Sequence, residues 1–285
     1  MFGSLKIDSV KVTSWDPTTN NYAITNGSRD GDILHPGAPR PFITIEKGAT
    51  GTTDITNSEI AYLGFEKGDR TYGGDGLNYY GGDGSFLKNN DIHDLYFGFY
   101  SAGIGHIVVE NNIISNSGHY GFDPHTGTHD MIVRNNTLYD NNGTAIICSL
   151  NCYNILIENN KVHDNSGDGI TFSRNMTKSI VRNNIVYNEP KGIYVSESHG
   201  NQVYNNAISK SEDGIHVSTS SGNKIFNNTI TDSTSSDILI KNGSSENTFS
   251  NNKIISSTSQ GLRIIQDSTS TNNAFSNNRK IASKG

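Results

Sequence analysis

At 285 residues the chain can bury a long core, and a net charge of −6 with no basic arm excludes a general nucleic-acid binder. Two cysteines, Cys148 and Cys152, exclude a disulfide framework, and no apolar run approaches the roughly 18 residues that a membrane-spanning helix needs. Only 33% of residues are hydrophobic; that share would fit disorder, except that Ile, Val, Leu and Phe recur on a fixed period, and repeat units need fewer core residues because each buries its face on the next.

In chain order, residues 1–45 come first. Asp16-Pro17 and Pro36-Gly37-Ala38-Pro39-Arg40-Pro41 read as turns and irregular chain, so this segment is expected to cap the N-terminal end. The start, Met1-Phe2-Gly3-Ser4, lacks the basic and apolar regions of a signal peptide, so location is not read from it. The Gly-Gly-Asp-Gly runs at 73–76 and 81–84 read as turns; they lack a nonapeptide tandem repeat, and calcium is not indicated.

Residues 46–265 carry a repeat. An Asn-Asn pair recurs at Asn89, Asn111, Asn135, Asn159, Asn183, Asn205, Asn227, Asn251 and Asn277, in steps of 22, 24, 24, 24, 22, 22, 24 and 26 residues. The segments between the pairs alternate apolar and polar residues, as in Ile155-Leu156-Ile157-Glu158-Asn159-Asn160-Lys161-Val162, which is a strand pattern. The Leu-x-x-Leu-x-Leu pattern of leucine-rich repeats is absent. The expected fold is all-β: a single-stranded right-handed parallel β-helix with coils of about 22–24 residues. Asn suits the corners because it tolerates the left-handed region, and stacked coils turn it into amide ladders. Residues 266–285, rich in Ser, Thr and Asn, read as the last coil or tail.

Half a coil after seven of the nine Asn pairs stands a small residue followed by an alternating run, at Gly98, Gly121, Ala145, Gly169, Gly192, Gly214 and Gly261. The first and third residues after it are mostly apolar (Phe122 and Pro124, Ile146 and Cys148, Ile170 and Phe172) and should point inward. The second and fourth should face solvent. That register places Asp123 and His125 on one outer strip, flanked by Tyr100, Thr171, Tyr194 and His216. Coils stack about 4.8 Å apart, close to one sugar ring, so a strip of polar and aromatic side chains suits an extended polysaccharide.

The most specific local run is Gly118-His119-Tyr120-Gly121-Phe122-Asp123-Pro124-His125. Tyr-Gly-Phe-Asp-Pro-His resembles the signature of mannuronan C5-epimerases. Leu95-Tyr96-Phe97-Gly98-Phe99-Tyr100, Thr128-His129 and Val133-Arg134-Asn135-Asn136 are similar to the periplasmic type, and the likeness covers roughly residues 10–230. The resemblance implies conversion of β-D-mannuronate to α-L-guluronate within an alginate-like polyuronate. Removing the C5 proton, α to a carboxylate, needs a base, an acid on the opposite face and a group that neutralises the carboxylate.

Carried onto this sequence, the resemblance makes His125 the base and Tyr120 the partner acid. Asp123, on the same strip, would orient His125 or share the substrate carboxylate's proton. The neutralising arginine of the periplasmic type falls where this chain has Leu150, after Ser149. Arg174, following Ser173 one coil further on, is then a candidate for that charge, with Lys67 and Arg70 as others, while Lys191, in the Tyr120 column, is placed to grip a neighbouring uronate. Tyr100, His129, Tyr194 and Thr171 complete the expected substrate-binding set. Two further readings use the same residues: a polyuronate lyase, in which the enolate expels the C4 oxygen, and a non-catalytic carbohydrate-binding β-helix. No metal or cofactor is called for, a monomer is expected, and a polymeric substrate implies an extracellular or periplasmic location. Cys148 falls on an inward position, and a Cys148–Cys152 bridge stays open.

Overall fold

A computed structural model describes residues 3–23, 40–65, 74–256 and 263–282. Among them all regular structure is β: three parallel sheets of 11, 11 and 10 strands, plus the antiparallel pair Trp15–Asp16 and Asn21–Tyr22. No helix there is long and apolar enough to cross a membrane. Each coil gives one short strand to each sheet in turn. One coil runs through Phe122–His125, Ile132–Arg134 and Thr137–Tyr139, and the next through Ile146–Ser149, Leu156–Glu158 and Lys161–His163. The chain is a right-handed parallel β-solenoid, as its period predicts.

The solenoid begins earlier than the sequence suggests. Leu5–Asp8 pairs in register with Thr53–Thr56, and Lys11–Thr13 with Glu59–Ala61. Ile43–Ile45 joins the ten-stranded sheet against Leu77–Tyr79. Segment 1–45 therefore contributes coil strands inside what reads as irregular chain; residues 24–39, with most of the proline-rich turn, lie outside the described residues. At the far end Ala274–Ser276 and Arg279–Ala282 extend both eleven-stranded sheets, while Gly261 lies outside the described residues.

The two residues of each Asn pair do different work. The first turns the corner in the left-handed region, as at Asn135 (φ 58°) and Asn159 (φ 57°). The second is buried and forms a ladder. Asn136 Nδ2 donates to Asn160 Oδ1 at 3.0 Å and to the Val109 carbonyl at 3.0 Å, and Asn160 repeats this with Asn184 and Val133. Each corner amide is thus satisfied by the coils above and below it, as burial demands. Inside, apolar columns such as Leu87, Val109, Val133, Ile157, Val181, Val203 and Ile225 fill the core. Cys148 and Cys152 are buried free thiols, and Cys152 Sγ donates to the Ser149 carbonyl at 2.9 Å.

A second ladder carries a charge-prone member. Asn141 Nδ2 donates to Asn165 Oδ1 at 2.8 Å, and Asn165 Nδ2 donates to Glu189 Oε1 at 2.8 Å. Glu189 is 3% exposed, and its Oε2 is buried without a hydrogen-bond partner among the described residues. Burial pushes its carboxyl up to about 8. From the ordinary carboxyl range up to that value, the folded chain keeps a proton that the unfolded chain has released. Stability therefore falls as pH rises across that window. Glu189→Gln keeps the acceptor and removes the titration. It should be more stable than the wild type above pH 8, by on the order of a few kcal/mol, and so melt at a higher temperature there, converging with it near pH 5. Thermal melts across that range check this; parallel pH profiles for the two proteins would exclude Glu189 as the cause.

Candidate active site

Strand Phe122–His125 lies between Phe97–Ala102 and Ile146–Ser149 in the ten-stranded sheet. Phe122 stacks on Phe99 in the core, ring centroids 4.4 Å apart. Alternation then sends Asp123 and His125 to the other face, beside Tyr100 and Ala102 of the coil above. The same face continues through Thr171 and Ser173 to Tyr194 and His216. A groove of about 830 Å³ lined by Phe42, Lys47, Tyr80, Ala102 and Thr126 approaches this coil from the N-terminal side. One of about 610 Å³, lined by Leu150, Arg174, Glu197 and His199, leaves it on the other.

His125 is half-buried, between Ala102 and Thr126, which line the first groove, and Arg174, which lines the second. Its ring lies 5.6 Å from that of Tyr100, its Nδ1 is 2.6 Å from Thr126 Oγ1, and its Nε2 is 3.4 Å from Arg174 Nη2. The same Nη2 donates to Ser149 Oγ at 3.0 Å. Arg174 starts two coils away, 49 residues on in sequence, at a left-handed corner with φ 57°, and leans back over Ser149. A guanidinium only donates hydrogen bonds. Nε2 must therefore be the acceptor, and Nδ1 carries the ring proton toward Thr126. Desolvation, and then the Arg174 charge, push the imidazole down to about 4. At neutral pH it is an uncharged ring whose Nε2 lone pair faces the Arg174 guanidinium.

Asp123 differs from its expected setting. It takes the outward register but is 3% exposed, on the groove floor beneath its larger neighbours. Its Oδ1 is buried with no hydrogen-bond partner among the described residues. Burial raises its carboxyl well above the usual range; Arg174 opposes this and Asp75 adds to it. Asp123 is thus a buried carboxyl whose setting favours the protonated form, rather than a solvent-facing carboxylate. Thr171 is buried in the same way, 4% exposed, and its hydroxyl too has no partner among those residues.

The remaining expected residues divide. Tyr120, at the other end of the segment, is half-buried, 3.9 Å from the His119 ring and edge-on to Phe97 at 5.6 Å. Phe97 in turn meets Tyr100 at 6.0 Å, so a run of aromatic rings links Tyr120 to His125. Lys191 is committed to Asp168 at 3.0 Å, with its ammonium 4.9 Å from the Tyr194 ring. Tyr194 neighbours His216, at 4.9 Å. His129 lies beyond the corner, paired with Asp130 at 2.7 Å and stacked on Tyr153 at 5.0 Å, so it belongs to a different cluster. Lys67 and Arg70 lie outside the described residues, as does Gly73. In the second Gly-Gly-Asp-Gly run, Gly82 and Gly84 take positive φ and Asp83 Oδ1 accepts the Gly105 N–H at 2.9 Å, as in a turn. Sequence reasoning missed Thr126 and Ser149. The signal for Thr126 was its place next to His125, and for Ser149 its place in the column below it.

The comparisons agree with this architecture. A family model described as "Right handed beta helix region" matches residues 43–208, more than half of the chain. A second, "Periplasmic copper-binding protein (NosD)", matches residues 178–285. The mannuronan C5-epimerase of Pseudomonas fluorescens is 28% identical over 146 residues, covering 48% of this chain and 26% of that protein. The chain thus spans about a quarter of the length of the curated relatives it matches. The crystal structure of the periplasmic alginate epimerase AlgG superposes with a TM-score of 0.79 at 22% identity, covering 98% of this chain and 69% of that one. The A-module of an Azotobacter vinelandii mannuronan C-5 epimerase gives 0.63 at 12% identity, covering 100% and 89%. The family expected from the sequence is the family of these relatives.

Proposed function

This chain belongs to the right-handed β-helix family, and on that premise we propose that it is an isomerase converting β-D-mannuronate to α-L-guluronate residues in alginate-like polyuronates. The observation that carries the reading is the pair formed by the His125 imidazole and the Arg174 guanidinium, 3.4 Å apart, with Arg174 lining one groove and Thr126, beside His125, lining the other. A base that is neutral at physiological pH and a fixed cation are what abstraction of a proton α to a carboxylate requires.

In this mechanism the polymer lies along the solenoid axis, with Tyr120 on one flank of the reacting sugar and His125 on the other. Arg174 turns from His125 to the substrate carboxylate, which frees Nε2. His125 Nε2 takes the C5 proton, and the electron pair passes into the carboxylate. Arg174 and the protonated Asp123 hydrogen-bond the developing dianion. The Tyr120 phenol delivers a proton to the opposite face of C5, and solvent returns the imidazolium proton to the phenolate. Tyr100 holds the His125 ring, and Lys191, Tyr194 and Thr171 line positions for neighbouring sugars. A polymeric substrate places this work outside the cytosol, consistent with the periplasmic setting named for its relative.

The test is incubation with polymannuronate, followed by proton NMR of the anomeric region. New guluronate signals are expected. Unsaturated chain ends absorbing in the ultraviolet would instead identify a lyase. Binding without either change would identify a carbohydrate-binding β-helix, the reading that a leucine, Leu150, in place of the family's arginine favours.

A further inference from the structure

Outside the groove, His106, His129 and Asp130 place one ligand-capable atom each within 4.8 Å of one another. The geometry points to a binding site for a divalent first-row transition ion such as Zn²⁺, distinct from the epimerisation chemistry. The three residues come from two successive coils. Gly105 bridges His129 in register, and the His106 N–H donates to the His129 carbonyl at 3.2 Å. His106 and Asp130 both occupy left-handed corners, with φ of 59° and 50°. They are therefore stacked members of one column, and His129 comes from the adjacent column. The sequence hides this grouping, because 23 residues separate His106 from His129; on its own terms it calls for no metal.

Gly105 makes the approach of the rings possible. A Cβ there would lie 2.4 Å from His129 Cε1 and 2.6 Å from Nδ1, closer than side chains come. The missing side chain lets the His129 ring fold over the coil above toward His106, at a centroid distance of 5.8 Å. Tyr153 supports the other face of the ring at 5.0 Å. Asn154 Nδ2 donates to Asp130 Oδ1, and Asp83 Oδ1 holds the Gly105 N–H at 2.9 Å. These contacts hold the donors in place from outside, as hydrogen bonds to the ligands commonly do around metals. Two imidazoles and one carboxylate suit zinc, copper or nickel, and not the all-oxygen shells of calcium or magnesium. Ligand bonds of roughly 2.0–2.2 Å require the exposed His106 ring to close on the other two donors, and the ion enters between His129 Nδ1 and Asp130 Oδ2, now 2.7 Å apart.

The experiment is calorimetric titration of the untagged 285-residue chain with Zn²⁺ alone. One equivalent should bind to the wild type. His106→Ala should weaken that binding about 100-fold, and Gly105→Ala, which keeps all three ligands but displaces the His129 ring, about tenfold. His199→Ala, in the same column as His129 but outside the cluster, should bind as the wild type does. Absence of a stoichiometric event in the wild type, or equal affinity in the wild type and His106→Ala, overturns the site.

Discussion

His125→Ala is expected to lower the rate of guluronate formation by about 10²–10⁴-fold, the usual worth of a positioned general base, with an unchanged melting transition. His125 is half-buried on the outer face, and its contacts are a neighbouring hydroxyl, one ring edge and a guanidinium. None of these is part of the stacked core, so its loss should cost within about 0.5 kcal/mol. The pH profile supplies an independent readout. Because the imidazole is held down at about 4, the base form persists through the mildly acidic range. In the wild type, kcat/KM should therefore stay on its plateau down to about that pH, below the range in which an ordinary histidine is protonated. A fall centred on the ordinary histidine range, or a His125→Ala variant with full rate, would falsify the assignment of the base.

Arg174→Ala should cost about 10²–10³-fold in kcat, the loss associated with removing one preorganised group that stabilises developing negative charge. It should also raise the acidic midpoint of kcat/KM, since the Arg174 charge is the second cause, after desolvation, of the depressed imidazole. A purely structural role would not move that midpoint. The corner at Leu150 permits a complementary test. Leu150 sits with φ 57° at the position equivalent to Arg174 one coil nearer to His125. Leu150→Arg in the Arg174→Ala background places a guanidinium where the resemblance puts it and should recover part of the lost rate. If Arg174→Ala epimerises normally with an unshifted profile, the neutralising charge comes from another residue.

Much of the site was legible before the fold was known. Alternation along Gly121–His125 requires Asp123 and His125 to share a face, and it requires Phe122 and Pro124 to point inward, where both are buried. The expected substrate strip of Tyr100, Thr171, Tyr194 and His216 also follows from register alone. The burial of Asp123 was not legible, because exposure of a short side chain depends on the bulk of its neighbours in the coils on either side. His129 was misplaced for a related reason. It follows the signature closely in sequence, but the corner after His125 turns it away from the strip and onto Tyr153 and His106.

By itself the sequence determined the period, the class of fold, the inward and outward faces, and the Asn ladders. All of these arise from interactions that repeat every coil or alternate every residue, so they are written in local spacing. Only the tertiary structure decided that Arg174 reaches back past Ser149 to His125, that Asp123 and Glu189 are buried acids, and that His106 meets His129 across Gly105. Each depends on side-chain length, on a left-handed corner or on a missing Cβ, acting between residues that stacking, and not chain order, makes neighbours.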